Sequence, residues 1–195
     1  MPTPQVESVT IDELNCWRIS HGDAELVVAQ QGAHIVSYQR AGQQPLIWSN
    51  PDAAFKKGKA IRGGMPICWP WFGNLERNPA SVQAMRDSSE PAKAHGEVGA
   101  IDWELMGMAE DDDALIVEFI QPKAEGQLPG WPHNVGLKLS IRLDEALNVS
   151  LISYNSGTET VSFSQALHSY FAVSDVREIS IKGLDGLSYV ETVEN

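Results

Sequence analysis

Cysteine is scarce in this chain: Cys16 and Cys68 are the only two in 195 residues. They lie far apart without a CxxC spacing, which argues against a disulfide framework and a cysteine zinc site. Basic residues are also short, with 14 Lys and Arg against 26 Asp and Glu and a net charge of -12. Nucleic acid and anionic membrane repel such a chain, so neither is expected as a partner. A phosphorylated small molecule remains compatible, because screening beyond roughly 10 Å lets one or two arginines act locally. No apolar run approaches the roughly 20 residues of a membrane span. Met1-Pro-Thr-Pro-Gln lacks the charged and apolar regions of a signal peptide. A cytoplasmic protein with two reduced thiols is the expectation.

Several catalytic signatures are missing too. There is no GxSxG elbow and no HExxH helix, and Gly63-Gly64 lacks the lysine and spacing of a phosphate loop. Asp111-Asp-Asp113 has no partnered calcium-ligand loop after it and reads as a solvated turn. No segment carries a convincing helical period.

What the chain has instead is alternation. Val135, Leu137, Leu139, Ile141 and Leu143 fall on one face, with Gly136, Lys138, Ser140 and Arg142 on the other. That pattern is a half-buried strand. Asp144-Glu-Ala146 turns the chain, and Leu147, Val149 and Leu151 alternate again as the second arm of a hairpin. Leu115, Val117 and Phe119 give another strand, ended by Pro122. Residues 25–29, 34–39, 161–165 and 178–182 are shorter candidates, and 76–93 reads as a long irregular loop. Many short strands between turn signals predict an antiparallel sandwich or barrel, with residues 1–195 in one domain.

The densest segment is Ile61-Arg-Gly-Gly-Met-Pro-Ile-Cys-Trp-Pro-Trp-Phe-Gly-Asn74. Proline removes backbone donors and glycine weakens regular structure, so neither a long strand nor a helix suits it. It reads either as a rigid binding loop presenting Arg62 or as a loop that plugs the core. Trp69 and Trp71 fit core packing better than stacking on a ligand. Of five histidines, His21 sits in a turn, His34 in an alternating strand and His133 in a Trp-Pro-His-Asn loop. His95 precedes Gly96, where backbone can approach a ligand closely. His168 shares a strand face with Ala166 and Tyr170, a setting that suits a proton donor or a core histidine bonded to a carbonyl.

Taken in order, Gln31-Gly-Ala-His34, Phe55-Lys-Lys-Gly-Lys-Ala-Ile-Arg-Gly-Gly64, Met65-Pro-Ile-Cys-Trp-Pro-Trp-Phe-Gly73, Ala94-His-Gly96, Trp131-Pro-His133 and Ala166-Leu-His-Ser-Tyr-Phe171 resemble the aldose 1-epimerase superfamily. Within it they resemble the hexose-6-phosphate mutarotase branch, the glucose-6-phosphate 1-epimerases. The resemblance implies an all-β, galactose-mutarotase-like antiparallel β-sandwich (a supersandwich). It implies an isomerase that interconverts α and β anomers of a hexose 6-phosphate by acid–base catalysis, with a small sugar or sugar phosphate as partner and neither cofactor nor metal. By the same resemblance His168 is the general acid, His95 a second sugar-binding histidine, and Arg62 an arginine that holds the substrate near its phosphate. An imidazolium suits the donor role, since its unperturbed pKa is about 6.5.

Two features depart from the family pattern. Its base is a glutamate near the C-terminus, which Glu191 and Glu194 do not match. The chain is therefore expected to be the N-terminal portion of a longer protein and inactive alone. Many members also read His-Gly-Phe-Ala-Arg where this chain reads His95-Gly-Glu-Val-Gly99, so one arginine is missing and Glu97 adds a charge that would repel a nearby phosphate. A non-catalytic sugar or sugar-phosphate binding module is the alternative reading.

Overall fold

Two antiparallel four-stranded meanders carry most of the strand residues. The structure is a computed structural model that describes residues 4–189. The first sheet runs β1 (Gln5–Ile11), β2 (Leu14–His21), β3 (Ala24–Ala29) and β4 (His34–Arg40), each strand paired with the next. Then come β5 (Ile67–Cys68), a 3-10 turn at Leu75–Arg77 and the short helix α1 (Ala80–Gln83). The second sheet is β6 (Glu104–Asp111), β7 (Ala114–Ile120), β8 (Val135–Leu143) and β9 (Leu147–Asn155), again in sequence order. Last, β10 (Ala166–Leu167) returns to pair antiparallel with β5, Ala166 opposite Cys68 and Leu167 opposite Ile67.

The alternating residues do what their period requires. Val135, Leu137, Leu139, Ile141 and Leu143 are all buried, whereas Lys138, Ser140 and Arg142 are half-buried on the opposite face. The β7 residues Leu115, Val117 and Phe119 join them. From the first sheet, Ile19, Leu26, Val28 and Ile35 enter the same apolar cluster. Each such aliphatic or aromatic side chain contributes about 1.5–3 kcal/mol on burial. A smaller cluster of Leu14, Cys16, Val27, Val36 and Ile61 covers the other face of the first sheet. Trp69, Trp71, Trp103 and Trp131 are fully buried, so the two tryptophans of the 61–74 segment pack the core, as expected.

Some expected elements differ. Residues 161–165 form no strand. The Ser164 N–H reaches the Pro70 carbonyl at 3.1 Å, but Pro70 has no N–H to return, so a ladder cannot grow there. Residues 178–182 are also not a strand; Ile179 and Ile181 stay exposed and have no β partner among the described residues. The 76–93 loop carries most of the 3-10 turn at Leu75–Arg77, and all of α1. Asp112 and Asp113 do turn the chain between β6 and β7. Strands β1, β2 and β6 had not been anticipated. Among the described residues no helix is long and apolar enough to cross a membrane.

Candidate active site

The 61–74 segment divides between the core and the wall of a cavity. Its tryptophans are core, while its start lines a cavity of about 620 Å³. Gly63 and Gly64 take positive φ, 92° and 73°. A Cβ on Gly63 would lie 2.7 Å from both Ser49 Cα and the Trp48 carbonyl oxygen. Glycine is thus required for this backbone to pack on its neighbour. The Gly64 N–H donates to the Trp48 carbonyl at 2.7 Å, and Met65 N–H to Ile35 at 2.8 Å. Arg62, the residue before this clamp, is exposed and lines the cavity.

His34 holds the clamp from below. It is 4 % exposed, and its Nε2–H donates to the Gly63 carbonyl at 2.9 Å. Burial pushes its pKa down to about 4, with the carbonyl pulling weakly the other way. Unfolded, the imidazole titrates near 6.5. As pH falls below that value the unfolded chain takes up the proton first, so His34 stabilises the fold fully above pH 6.5 and loses this contribution towards pH 4. Urea unfolding at pH 7 and at pH 4.5 should show His34→Gln losing about 2 kcal/mol less than the original chain over that interval. Equal losses would contradict the buried neutral imidazole.

His168 reaches the same cavity from the other end of the sequence. Its N–H donates to the Pro66 carbonyl at 3.0 Å, and the Tyr170 N–H to Gly64 at 2.9 Å. Backbone pairing therefore continues past β10, and His168 and Tyr170 share a face. Their rings stack at 4.7 Å and 9°. His95 faces His168 edge-on at 5.6 Å, and Phe72 lies 5.3 Å from His95 and 5.7 Å from His168.

His95 sits at φ 67°, next to Gly96 at 84°. Its Nδ1 accepts the Gly73 N–H at 3.2 Å. With Nδ1 occupied as an acceptor, the proton resides on Nε2, and the ring can donate outward. Burial, and then the charge of His168, hold its pKa below the ordinary histidine value. Two imidazoles this close disfavour double protonation.

The cavity thus gathers Arg62, His95 and His168 from three distant segments. His34, Trp48, Lys93 and Tyr170 also line it; only the sequence resemblance at Gln31–His34 hinted at the first, and nothing pointed to Trp48 or Lys93. Cys68 lines it too, but burial raises its thiol to about 11, so it is not a nucleophile near neutrality. No Asp or Glu among the described residues lines the cavity. Glu191 and Glu194 lie outside the described residues. Glu97 is buried and pairs with Lys93 Nζ at 3.0 Å, so the expected repulsion of a phosphate by a free Glu97 carboxylate is corrected: its charge is already matched. His21 and His133 serve structure, with Nε2 of each bonded to a carbonyl, that of Asp113 at 2.7 Å and of Met85 at 2.8 Å. No cluster of three or more metal-ligating side chains occurs among the described residues.

Comparison with known proteins places the chain by family and fold. The family model described as aldose 1-epimerase matches residues 15–194. A protein of Escherichia coli strain K12, named "Putative glucose-6-phosphate 1-epimerase", is 33% identical over 193 residues, covering 99% of this chain and 60% of its own length. The chain thus spans about 60% of the length of that curated relative. The crystal structure of a "putative mutarotase" from Salmonella typhimurium superimposes with TM-score 0.72 at 28% identity, covering 90% of this chain and 54% of that one. Galactose 1-epimerase from Lactobacillus acidophilus, at 15% identity and TM-score 0.59 over 87% of this chain and 53% of its own, shares the fold.

Proposed function

The chain belongs to the aldose 1-epimerase family, and from that footing we propose that it carries the proton-donor and sugar-binding side of a hexose-6-phosphate mutarotase. The observation that carries this reading is the convergence of Arg62, His95 and His168 on one cavity that no described carboxylate lines. A cavity of about 620 Å³ is in the range that holds a small ligand.

The chemistry follows from the geometry. His168, protonated, gives its proton to the pyranose ring oxygen as the C1–O bond opens. A carboxylate from outside the described residues takes the proton of the anomeric hydroxyl. The aldehyde face turns over, the hydroxyl adds back on the other side, and both protons return. The Tyr170 ring, stacked on His168, fixes the plane of the imidazole. His95 is held with Nε2–H outward and donates to a sugar hydroxyl. Arg62 supplies a guanidinium for the phosphate. The residues 1–195 act as one domain in this scheme.

The names of the relatives support the phosphate ester, and the missing His-Gly-x-x-Arg arginine argues the other way. The experiment is exchange NMR on the α and β anomers of glucose 6-phosphate with the 195-residue chain. Binding with little exchange is expected, followed by a rate that rises with added formate as external acceptor. Binding that no carboxylate converts into exchange supports the alternative, a sugar-phosphate binding module. Fast exchange without formate would refute an acceptor from beyond residues 1–195.

A further inference from the structure

Six cations of this acidic chain, Arg18, Arg40, Lys93, Lys138, Arg142 and Arg177, each pair with an Asp or Glu. A short stretch before the Gly63–Gly64 clamp instead gathers several that do not. Lys56, Lys57, Lys59 and Arg62 fall within seven positions, and none forms an ion pair with a carboxylate among the described residues. In a chain of net charge -12, four neighbouring cations without a paired carboxylate repel one another and attract any anion that fits between them.

They also border a space. A second cavity of about 330 Å³ is lined by Lys56, Lys59, Arg62, Asn50 and one carboxylate, Asp52, with small alanines for the rest. It shares Asn50, Ala60 and Arg62 with the larger cavity. A ligand in the first can therefore extend a substituent into the second past Arg62.

The loop that bears the lysines is fastened by its backbone. Gly58 N–H donates to Gln31 Oε1 at 2.7 Å, and Gln31 Nε2 donates to the Lys59 carbonyl at 2.8 Å. Gln31 is 3 % exposed, so this anchor is part of the interior. On the other side Asp12 accepts the Phe55 N–H at 3.1 Å and Glu13 the Lys57 N–H at 3.2 Å. A fixed loop presenting exposed ammonium groups forms a binding surface without ordering its backbone at the moment of binding.

We propose that this side cavity is an anion subsite in which Lys56 and Lys59, together with Arg62, hold the phosphate monoester of the sugar while its ring occupies the larger cavity. The subsite rests on the mutarotase reading for the identity of the sugar. It does not rest on it for the anion, which the chain selects by charge and shape. Lys56 and Lys59 are specificity-determining residues here, doing from the 56–62 loop what an arginine at position 99 would do from the opposite wall.

The test is the double substitution Lys56→Gln/Lys59→Gln in the 195-residue chain, with Lys57→Gln beside it as the control that lines neither cavity. All three side chains are exposed, and circular dichroism and melting check that folding is kept. Calorimetric titration with glucose 6-phosphate should show at least 10-fold weaker binding in the double variant, with a flatter dependence on salt. Glucose should bind both proteins equally, Lys57→Gln should change affinity less than 2-fold, and inorganic phosphate should compete only in the original chain. Unchanged affinity for glucose 6-phosphate in the double variant would overturn the subsite. Equal loss for glucose and glucose 6-phosphate would overturn it as well, since the lysines would then act on folding. Failure of the two ideas is separable. If formate-supported exchange persists at an unchanged KM in the double variant, the subsite falls and the mutarotase reading stands. If phosphate binding needs the lysines but no sugar phosphate ever exchanges, the reading falls and the subsite stands.

Discussion

His168→Ala is expected to lower formate-supported exchange of glucose 6-phosphate anomers by about 10²–10⁴-fold, the range for removing a positioned general acid. The effect should fall on kcat. Arg62 and the cavity wall remain, so affinity should change little. His95→Ala makes the contrast. As a neutral donor to a hydroxyl its loss costs about 1 kcal/mol, roughly 5–10-fold, and mainly in KM. The two imidazoles lie 5.6 Å apart and are both reachable, so proximity alone cannot separate them. What separates them is that His95 Nδ1 is tied to Gly73 and its pKa is held down, whereas His168 stacks flat on Tyr170. If the two variants exchanged these phenotypes, the donor would be His95. The measurement is line-shape or exchange-spectroscopy NMR at several substrate concentrations.

Gly96→Ala is expected to cost about 2–5 kcal/mol of stability, a large fraction of the usual total of about 5–15 kcal/mol. Gly96 adopts φ 84° and pairs in a parallel bridge with Trp69. A methyl there would collide with the Trp69 carbonyl and approach the Pro70 nitrogen to 2.9 Å. These are backbone atoms under a fully buried indole, so nothing can swing aside. Strain from the left-handed backbone adds about 1–2 kcal/mol to overpacking of about 1–3 kcal/mol. Gly22→Ala, at φ 59° with open space around it, carries only the first of these. Urea titrations should therefore place the two alanine variants at least about 1 kcal/mol apart. Equal midpoints would show that the close approach at Gly96 relaxes freely.

The strands that could be read from the chain are those with one wet and one dry face. Val135–Leu143 and Leu147–Asn155 pair in the register that their alternation sets, Leu139 opposite Leu151 and Leu143 opposite Leu147. Strand β6 escaped notice because it lies at the edge of its sheet: Met106 and Met108 are more than half exposed, and the register slips between Leu105 and Gly107. A strand with little burial leaves little period to find. Strand β2 hides for another reason. Its inward residues, Leu14, Cys16 and Ile19, do not keep a strict two-residue period. The candidate site was visible as motifs, Arg62 with its glycines, His95 before Gly96, and His168. Their convergence was not visible, because residues 62, 95 and 168 meet only through backbone bonds such as His168 to Pro66 and His95 to Gly73. The lysine groove was overlooked since three lysines in a loop look like ordinary surface; only their clustering beside a cavity without a paired carboxylate sets them apart.

The pairing of β10 with β5 closes a loop of roughly a hundred residues. Both meanders are local and can zip independently, whereas this contact must span the whole second meander, and such long-range closures are slow to form. The cavity that β10 helps to wall should consequently assemble after most secondary structure has appeared. A nascent chain still held at the ribosome, with Ile67 emerged and Leu167 not yet free, would already be largely sheet and yet chemically silent.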